Sequence, residues 1–161
     1  MAKLVYLGLG SNIGDRLEYL KRAIERLSKA RVRVLRASPV YETEPLDATA
    51  QGWFLNQVVE AETELFPLQL LAATQRIERE LGRARLVPKG PRTLDIDILF
   101  YGKAVVETER LEIPHPRVGE RRFVLKPLAD LAAGFRHPAT GRSVREMLDT
   151  APEAAVRLLH S

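Results

Sequence analysis

The sequence predicts an α+β protein: a ferredoxin-like split βαβ sandwich with a central antiparallel sheet. Two observations support this prediction. Segments with strand composition and segments with helical spacing of apolar residues follow one another in the order β-α-β-β-α-β, with further elements after them. The chain has 161 residues, 45% of them hydrophobic, which suits one domain over residues 1–161 with its own core. Because such folds support many unrelated activities, function must be argued from particular residues.

The first half of the chain supplies most of these elements. Residues 3–10, "KLVYLGLG", have strand composition and end in glycines, and residues 14–30 repeat apolar side chains at three- and four-residue spacing, as an amphipathic helix does. Residues 32–38 alternate like a strand. Residues 38–53 contain two prolines and a glycine and predict a long loop, and residues 54–65 predict a long strand.

The second half begins with a further helix and strand. Pro67 suits the first turn of a helix, and Gly82 suits its end. A loop follows, and residues 94–101 are rich in aliphatic and aromatic residues, which predicts the next strand. Residues 104–113 are expected to pair back beside that strand, and a last helix is expected near Val144–Leu148.

The composition excludes several classes of protein. The chain has no cysteine, which rules out disulfides and thiolate zinc sites and suits a reducing compartment. No segment approaches the roughly 20 apolar residues of a membrane span, and no signal peptide is recognisable. The formal charge of +4 suits an anionic substrate such as a nucleotide and is too small to indicate nucleic acid. We therefore expect a cytoplasmic protein with no membrane or nucleic-acid partner. A monomer is also expected, without a sequence pattern that indicates it.

The stretch "RTLDIDILFYG", residues 92–102, contains an unusual pair of carboxylates inside a hydrophobic strand. Side chains two residues apart in a strand point to the same face, so Asp95 and Asp97 share one face while their aliphatic neighbours share the other. Two like charges at this spacing repel unless a cation lies between them. The pattern therefore calls for a positively charged partner.

The loop just before the pair, "GRARLVPKGPR", supplies four cations: Arg83, Arg85, Lys89 and Arg92. Carboxylate oxygens hold Mg²⁺, and arginines clamp phosphate oxygens through their planar fork of donors. A paired aspartate next to a basic loop therefore predicts a metal–polyphosphate site. The alternative is a solvated basic loop beside an acidic strand end.

Two other motifs have competing interpretations. The glycines of "GLGSNIG", residues 8–14, miss the dinucleotide-binding spacing by one residue, and the segment lacks the Lys-Ser/Thr of a P-loop. A tight strand-to-helix turn with capping residues is the better interpretation. His115 lies between two prolines and is either a hydrogen-bond donor to phosphate or part of a stiff turn. Arginines lie near it in sequence, namely Arg110, Arg117, Arg121 and Arg122.

With these pieces assembled, the chain resembles the hydroxymethyl-dihydropterin pyrophosphokinases of folate biosynthesis. The matching segments occur in the family's order from the first strand to about residue 132, so the resemblance implies a single pyrophosphokinase domain. The segment "GPRTLDIDILFYG" is the most specific of them. The others are "LGLGSNIGDR", "SPVYETEPL", "FLNQVVEAET", "QRIERELGRAR", "LEIPHPR" and "RRFVLKPLADLA".

The resemblance implies a reaction and the residues that perform it. The pyrophosphoryl group of ATP, the co-substrate, moves to the hydroxymethyl group of 6-hydroxymethyl-7,8-dihydropterin, and AMP leaves. Two Mg²⁺ ions are implied on Asp95 and Asp97, with Arg83 and Arg92 as catalytic phosphate clamps. The implied ATP-binding residues are Leu71, Gln75, Glu78, Arg85, Ile98, Arg110, Leu111, Glu112, His115 and Arg121. Those implied for the pterin are Thr43, Pro45, Leu46, Phe54, Asn56 and Phe123, with the ring stacked between the two phenylalanines.

The chain departs from the family's pattern at two positions. Lys89 stands where some members have an aromatic residue, and Pro116 where some have tyrosine. Two other functions fit parts of the sequence. A Mg-dependent nucleotidyltransferase also uses paired aspartates, and it releases pyrophosphate where a pyrophosphokinase releases AMP. A ferredoxin-like RNA-binding module needs exposed aromatics on a central strand, for which Phe54 alone is poor support.

Overall fold

The computed structural model describes residues 1–44, 52–82 and 93–159. Over these ranges the protein is a mixed α/β structure with an antiparallel main sheet, as predicted. No described helix combines the length and apolar character needed to cross a membrane. The elements are β1 (Lys3–Ser11), α1 (Arg16–Lys29), β2 (Val32–Ala37), β3 (Tyr41–Thr43), β4 (Phe54–Thr63), α2 (Pro67–Glu80), β5 (Asp95–Tyr101), β6 (Val106–Glu107), β7 (Glu112–Ile113), a 3-10 helix (Val118–Glu120), α3 (Arg122–Ala132), α4 (Val144–Thr150) and β8 (Val156–Leu158).

The main sheet has six strands. Five of them follow the order β5-β1-β4-β3-β8. The sixth, β2, pairs with the same edge of β4 as β3 does, farther along that strand. Every pairing between neighbours is antiparallel. The predicted helix α1 connects β1 to β2, and α2 connects β4 to β5. Each helix therefore joins two strands that are separated in the sheet by a third, and both helices pack on the same face.

Alternation along the strands gives the sheet two different faces. The α1/α2 face carries Val5, Leu7 and Leu9 of β1 in the larger core cluster, together with buried side chains of both helices. The α3/α4 face carries Tyr6 of β1 in a second cluster, beneath α3 and α4. The residues Gly8 and Gly10 continue the α3/α4 face toward the other end of β1, where the strand carries no side chains; Gly8 is half-buried and Gly10 is buried.

Strand β5 contains a β-bulge that changes its alternation. Tyr6 pairs with Phe100 and Leu7 pairs with Ile98, so Leu99 has no partner across the ladder. Ile98 belongs to the core on the α1/α2 face, and both Leu99 and Phe100 pack in the cluster on the α3/α4 face. The bulge therefore puts two consecutive apolar side chains on the same face.

Two expectations about the fold were wrong, and two elements were missed. Residues 104–113 do not pair beside β5; β6 pairs with β7 in a separate two-stranded sheet, because Thr108 and Leu111 close a tight turn between them. The predicted loop at 38–53 contains β3. The sequence pattern also missed α3, which contains Pro127, and it missed β8, since a strand of three residues is too short to show a periodicity.

Candidate active site

Asp95 and Asp97 lie on an edge strand next to two glycines. Asp95 pairs with Gly10 of β1, and Asp97 pairs with Gly8. The alternate residues of β5, such as Ile96, are buried in the core on the α1/α2 face, so the two carboxylates share the α3/α4 face as the sequence predicted. Both side chains are partly buried. The pair therefore lies beside two residues of β1 that carry no side chain, and the backbone at Gly8 and Gly10 is called the β1 strip below.

Asn56 lies on the other side of this strip. It pairs with Gly10 from β4, and a Cβ atom added to Gly10 would lie only 3.1 Å from its Oδ1 and 3.6 Å from Cδ1 of Phe54. A side chain at Gly10 would therefore press against both residues. The predicted turn over Gly10 is corrected here: β1 continues through Ser11, and Gly14, at φ +74°, makes the turn before α1.

The Asn56 amide is buried and oriented by a neighbour. Its Nδ2 donates a hydrogen bond of 2.5 Å to Oγ1 of Thr43, which is buried on β3. This bond turns Oδ1 of Asn56 toward Gly10, where it can accept from a ligand. Next to Asn56 across the strands, the Tyr41 hydroxyl donates to Asp130 of α3 and so ties β3 to that helix. The Asn56 amide is therefore held in one orientation by Thr43.

Arg121 faces the carboxylate pair from the start of α3. Burial lowers the pKa of Arg121, and Asp97 and Asp95 act in the opposite direction by attraction. Its Nε is buried and has no hydrogen-bond partner within the described ranges. Its Cζ lies 5.6 Å from the centroid of the Phe123 ring. The predicted residues Asp95, Asp97, Arg121 and Phe123 therefore come together in one region.

His115 joins the same region as an uncharged group. Burial lowers its pKa to about 4, and the nearby charges of Arg121 and Arg117 add to this effect, so the imidazole is neutral at neutral pH. Its Nδ1 accepts a hydrogen bond of 3.2 Å from the backbone N–H of Arg117, which places the ring proton on Nε2. Its backbone N–H donates to the Leu99 carbonyl at 3.0 Å. His115 is thus held against β5 with one ring donor.

The α2 side of β5 holds several residues predicted for ATP. Glu78 is buried, and its Oε2 accepts a hydrogen bond of 2.8 Å from the Ile96 N–H at the outer edge of β5. Leu71 packs against the same core cluster that contains Ile98 and Leu111. The Ile98 side chain therefore lies on the face opposite the two aspartates. Exposed side chains occur at Gln75 on α2, at Arg110 and at Glu112 on β7.

Five predicted site residues lie outside the described residues: Arg83, Arg85, Arg92, Pro45 and Leu46. Lys89 and the rest of the basic loop over residues 83–92 also lie there. No pattern in the sequence marked Gly10 as part of the candidate site. The signal that could have found it was the pairing of β1 with both β4 and β5, because a glycine between Asp95 and Asn56 is visible only once that register is known.

Comparison with known proteins identifies a family. The sequence model of the 7,8-dihydro-6-hydroxymethylpterin-pyrophosphokinase (HPPK) family matches residues 6–133. The 2-amino-4-hydroxy-6-hydroxymethyldihydropteridine pyrophosphokinase of Bacillus subtilis is 49% identical over 141 residues, which cover 87% of this chain and 84% of the relative.

Longer relatives and a solved structure agree with this match. The folic acid synthesis protein fol1 of Pneumocystis carinii is 48% identical over 87% of this chain, and the chain spans only 19% of that protein's length. A crystal structure of Plasmodium falciparum HPPK-DHPS with pteroate superposes with a TM-score of 0.74 at 16% identity, covering 92% of this chain and 42% of that one, which shows a common fold. The resemblance found in the sequence is confirmed, and the chain belongs to the 7,8-dihydro-6-hydroxymethylpterin-pyrophosphokinase family.

Proposed function

We propose that this protein transfers the pyrophosphoryl group of ATP to the hydroxymethyl group of 6-hydroxymethyl-7,8-dihydropterin, releasing AMP, as a step of folate biosynthesis. The observation that supports it most directly is the arrangement around β1. Two carboxylates on one side and an oriented, buried amide on the other flank a strip of backbone without side chains at Gly8 and Gly10. A ligand placed against this strip would have a phosphate-handling end on one side and a ring-recognising end on the other.

The pterin is assigned to the Asn56 end of the strip. A pterin is flat and carries amide-like donors and acceptors on one edge, and the Asn56 amide matches such an edge. Phe54, on the same strand and face, and Phe123, at the start of α3, offer aromatic faces for stacking. Thr43 holds the Asn56 amide in one orientation. Pro45 and Leu46 complete the proposed pocket.

Two Mg²⁺ ions are assigned to Asp95 and Asp97. The donor chemistry fits, because Mg²⁺ prefers oxygen ligands and keeps several waters or phosphate oxygens in its shell. Within the described ranges no group of three or more His, Cys, Asp or Glu side chains could hold a metal ion. Asp95 and Asp97 would therefore act together with phosphate oxygens and water, which are common Mg²⁺ ligands. When bound, the ions neutralise phosphate charge and lower the pKa of the attacking hydroxyl.

The chain's own residues orient ATP and stabilise the charge that develops during transfer. The hydroxymethyl oxygen attacks the β-phosphorus, and the bond to the α-phosphate oxygen of AMP breaks, which requires in-line placement of the two substrates. Arg83 and Arg92 are the proposed clamps on the transferring group. Arg121 adds a guanidinium that already faces the carboxylate pair, and Nε2 of His115 offers a neutral donor to a phosphate oxygen. Further proposed ATP contacts are Leu71, Gln75, Glu78, Arg85, Ile98, Arg110, Leu111 and Glu112.

The test is to incubate the protein with ATP, Mg²⁺ and the reduced pterin and to identify the nucleotide product. AMP together with a pyrophosphorylated pterin is expected. Release of pyrophosphate would instead indicate a nucleotidyltransferase. The RNA-binding alternative loses support, because the central strand β1 places Gly8 and Gly10 where such a module needs exposed aromatics.

We also propose the ferredoxin-like split βαβ assignment, in one domain over residues 1–161. It is supported by the two units β1-α1-β2 and β4-α2-β5, each of which has a strand of the other unit between its own strands. A cytoplasmic monomer that acts on ATP and the reduced pterin, without a nucleic-acid or membrane partner, remains the expectation. Size-exclusion chromatography with light scattering tests the oligomeric state.

A further inference from the structure

The last strand, β8, lies beyond residues 6–133 that match the family, and it gives β3 a second neighbour. Glu42 of β3 pairs with Arg157 of β8. The backbone bonds extend on both sides of this pair: the Leu159 N–H donates to the Val40 carbonyl at 2.9 Å, and the Glu44 N–H donates to the Ala155 carbonyl at 3.4 Å. The C-terminal strand therefore holds the short strand that carries Thr43.

Side chains reinforce this contact around Glu42. Arg157 donates from Nε and Nη2 to Oε1 of Glu42 at 3.0 and 2.7 Å. Its Cζ lies 4.4 Å from the centroid of the Trp53 ring, within cation–π range. Arg16, at the start of α1, donates to Oε2 of Glu42 at 3.2 Å and to the Trp53 carbonyl at 2.8 Å. These four residues, Glu42, Arg157, Arg16 and Trp53, are called the Glu42 cluster below.

The Glu42 cluster lies directly behind the proposed pterin pocket. Thr43 follows Glu42 in the chain, and Phe54 follows Trp53, so alternation puts the cluster's side chains on the face opposite those of the two pocket residues. Thr43 and Phe54 are also partners across β3 and β4. Fixing Glu42 and Trp53 from behind therefore fixes the backbone that presents Thr43 and Phe54 in front.

Resting on the proposed function, we propose that the Glu42 cluster positions the pterin pocket, with Arg157 as a positioning residue contributed by the C-terminal strand. Arg157 holds Glu42 and Trp53 at once, through a forked pair and a ring contact. Arg16 fixes the same two residues from α1. The cluster acts on recognition of the pterin and leaves the phosphate end, built from β5 and α3, unchanged.

The experiment compares Arg157→Ala and Arg157→Lys with the matched control Arg33→Ala. Arg33 forms an exposed pair of 3.0 Å with Glu62 on the same sheet, away from the pocket. Arg157→Ala is expected to raise KM for the pterin about three- to tenfold, the combined size of an exposed ion pair and a cation–π contact. Its kcat and its KM for ATP should change less than about twofold, as should every constant of the control. Arg157→Lys should raise the pterin KM by an intermediate amount, since lysine keeps the charge and lacks the fork.

Fluorescence supplies a readout besides activity. Trp53 is the chain's single tryptophan, so its emission reports on the cluster directly. Arg157→Ala should shift that emission, and Arg33→Ala should not. Raising the salt to about 1 M, where the Debye length falls to about 3 Å, should raise the pterin KM of the unmodified protein toward that of Arg157→Ala and change the variant little.

Two results would overturn this proposal while leaving the proposed function intact: an Arg157→Ala variant with the same pterin KM as Arg33→Ala, or one whose KM for ATP and pterin rise together. The proposed function fails by a different result, namely no AMP release from the unmodified protein with pterin and ATP. The unmodified protein is therefore assayed first.

Discussion

The two ends of the β1 strip are built from different interactions. At the pterin end, Asn56 and Thr43 are buried, uncharged and hydrogen-bonded to each other between neighbouring strands. At the phosphate end, Asp95 and Asp97 are only partly buried and face the guanidinium of Arg121. The hydrogen-bonded geometry of the pterin end forms when the chain folds. The phosphate end concentrates negative charge, which the proposed Mg²⁺ ions would balance. Substitutions should therefore affect stability at one end and chemistry at the other.

The largest effect is expected from the carboxylates. Asp95→Asn or Asp97→Asn should lower kcat by at least about 10²–10³-fold, because stabilisation of developing charge is the main contribution of such a site. The free energy of unfolding should change little, because relief of the repulsion between the two carboxylates is offset by the loss of attraction to Arg121. Steady-state kinetics and urea unfolding measure the two quantities. Asp149→Asn, in an exposed pair with Arg145, is the matched control.

Near-normal turnover of either variant at saturating Mg²⁺ would remove the two-metal assignment. A large loss of stability would instead show that the carboxylates act as structural groups. In that case the contrast between the two ends of the strip disappears.

The basic loop should give the next largest effect. Arg83→Lys and Arg92→Lys should each lower kcat about 10- to 100-fold with smaller effects on binding of an ATP analogue, because lysine keeps the charge and loses the planar fork. Lys89→Ala in the same loop is the control and should be milder. Single-turnover kinetics beside equilibrium binding separates the two effects. Full kcat in the lysine variants would reduce these arginines to a source of positive potential.

The pterin end should respond in binding. Asn56→Ala should weaken pterin binding by about 1–3 kcal/mol, because it leaves a polar edge of the ligand unpaired. It should also lower the free energy of unfolding, since Thr43 loses its partner. Gln57→Ala is the matched control: its amide donates to the Ser38 carbonyl at 2.8 Å, and it points to the other face. Calorimetry with pterin and with an ATP analogue decides; equal losses for both ligands would mean that the pocket is misplaced.

The smallest effect concerns pH. The pKa of His115 is about 4 in the folded protein, below the ordinary value of 6.5, so the unfolded chain binds a proton first on acidification. Its contribution to the free energy of unfolding is therefore complete above about pH 6.5 and is lost as the pH falls toward about 4. His115→Asn should flatten this dependence when urea unfolding is compared at about pH 7 and about pH 5, a range in which carboxylates change little. An unchanged slope would show that His115 is not the group responsible.

Much of the fold and part of the site were predictable because they depend on local patterns. The period of two that pairs Asp95 with Asp97 belongs to a single strand, and the helix stop at Gly82 matches its φ of +83°. The Asn56–Thr43 contact requires β3 to pair with β4, and no local pattern marks a strand of three residues. The contact between Arg157 and Glu42 was not predictable either, because the two residues are far apart in the chain and meet only when β8 pairs with β3. The helix α3 was not predicted because it contains Pro127, and proline normally ends or kinks a helix.

The bulge at Leu99 determines which residues of β5 face each side of the sheet. Ahead of it, the α3/α4 face receives Asp95 and Asp97; after it, the same face receives Phe100 in the packed cluster. The two carboxylates and the apolar anchor Phe100 thus lie on the same side of this seven-residue strand. Any insertion or deletion in this strand would exchange the two faces for everything on one side of the change, turning either the carboxylates into the core or Phe100 out of it. The strand should therefore tolerate the exchange of one apolar core residue for another far better than a change in its length.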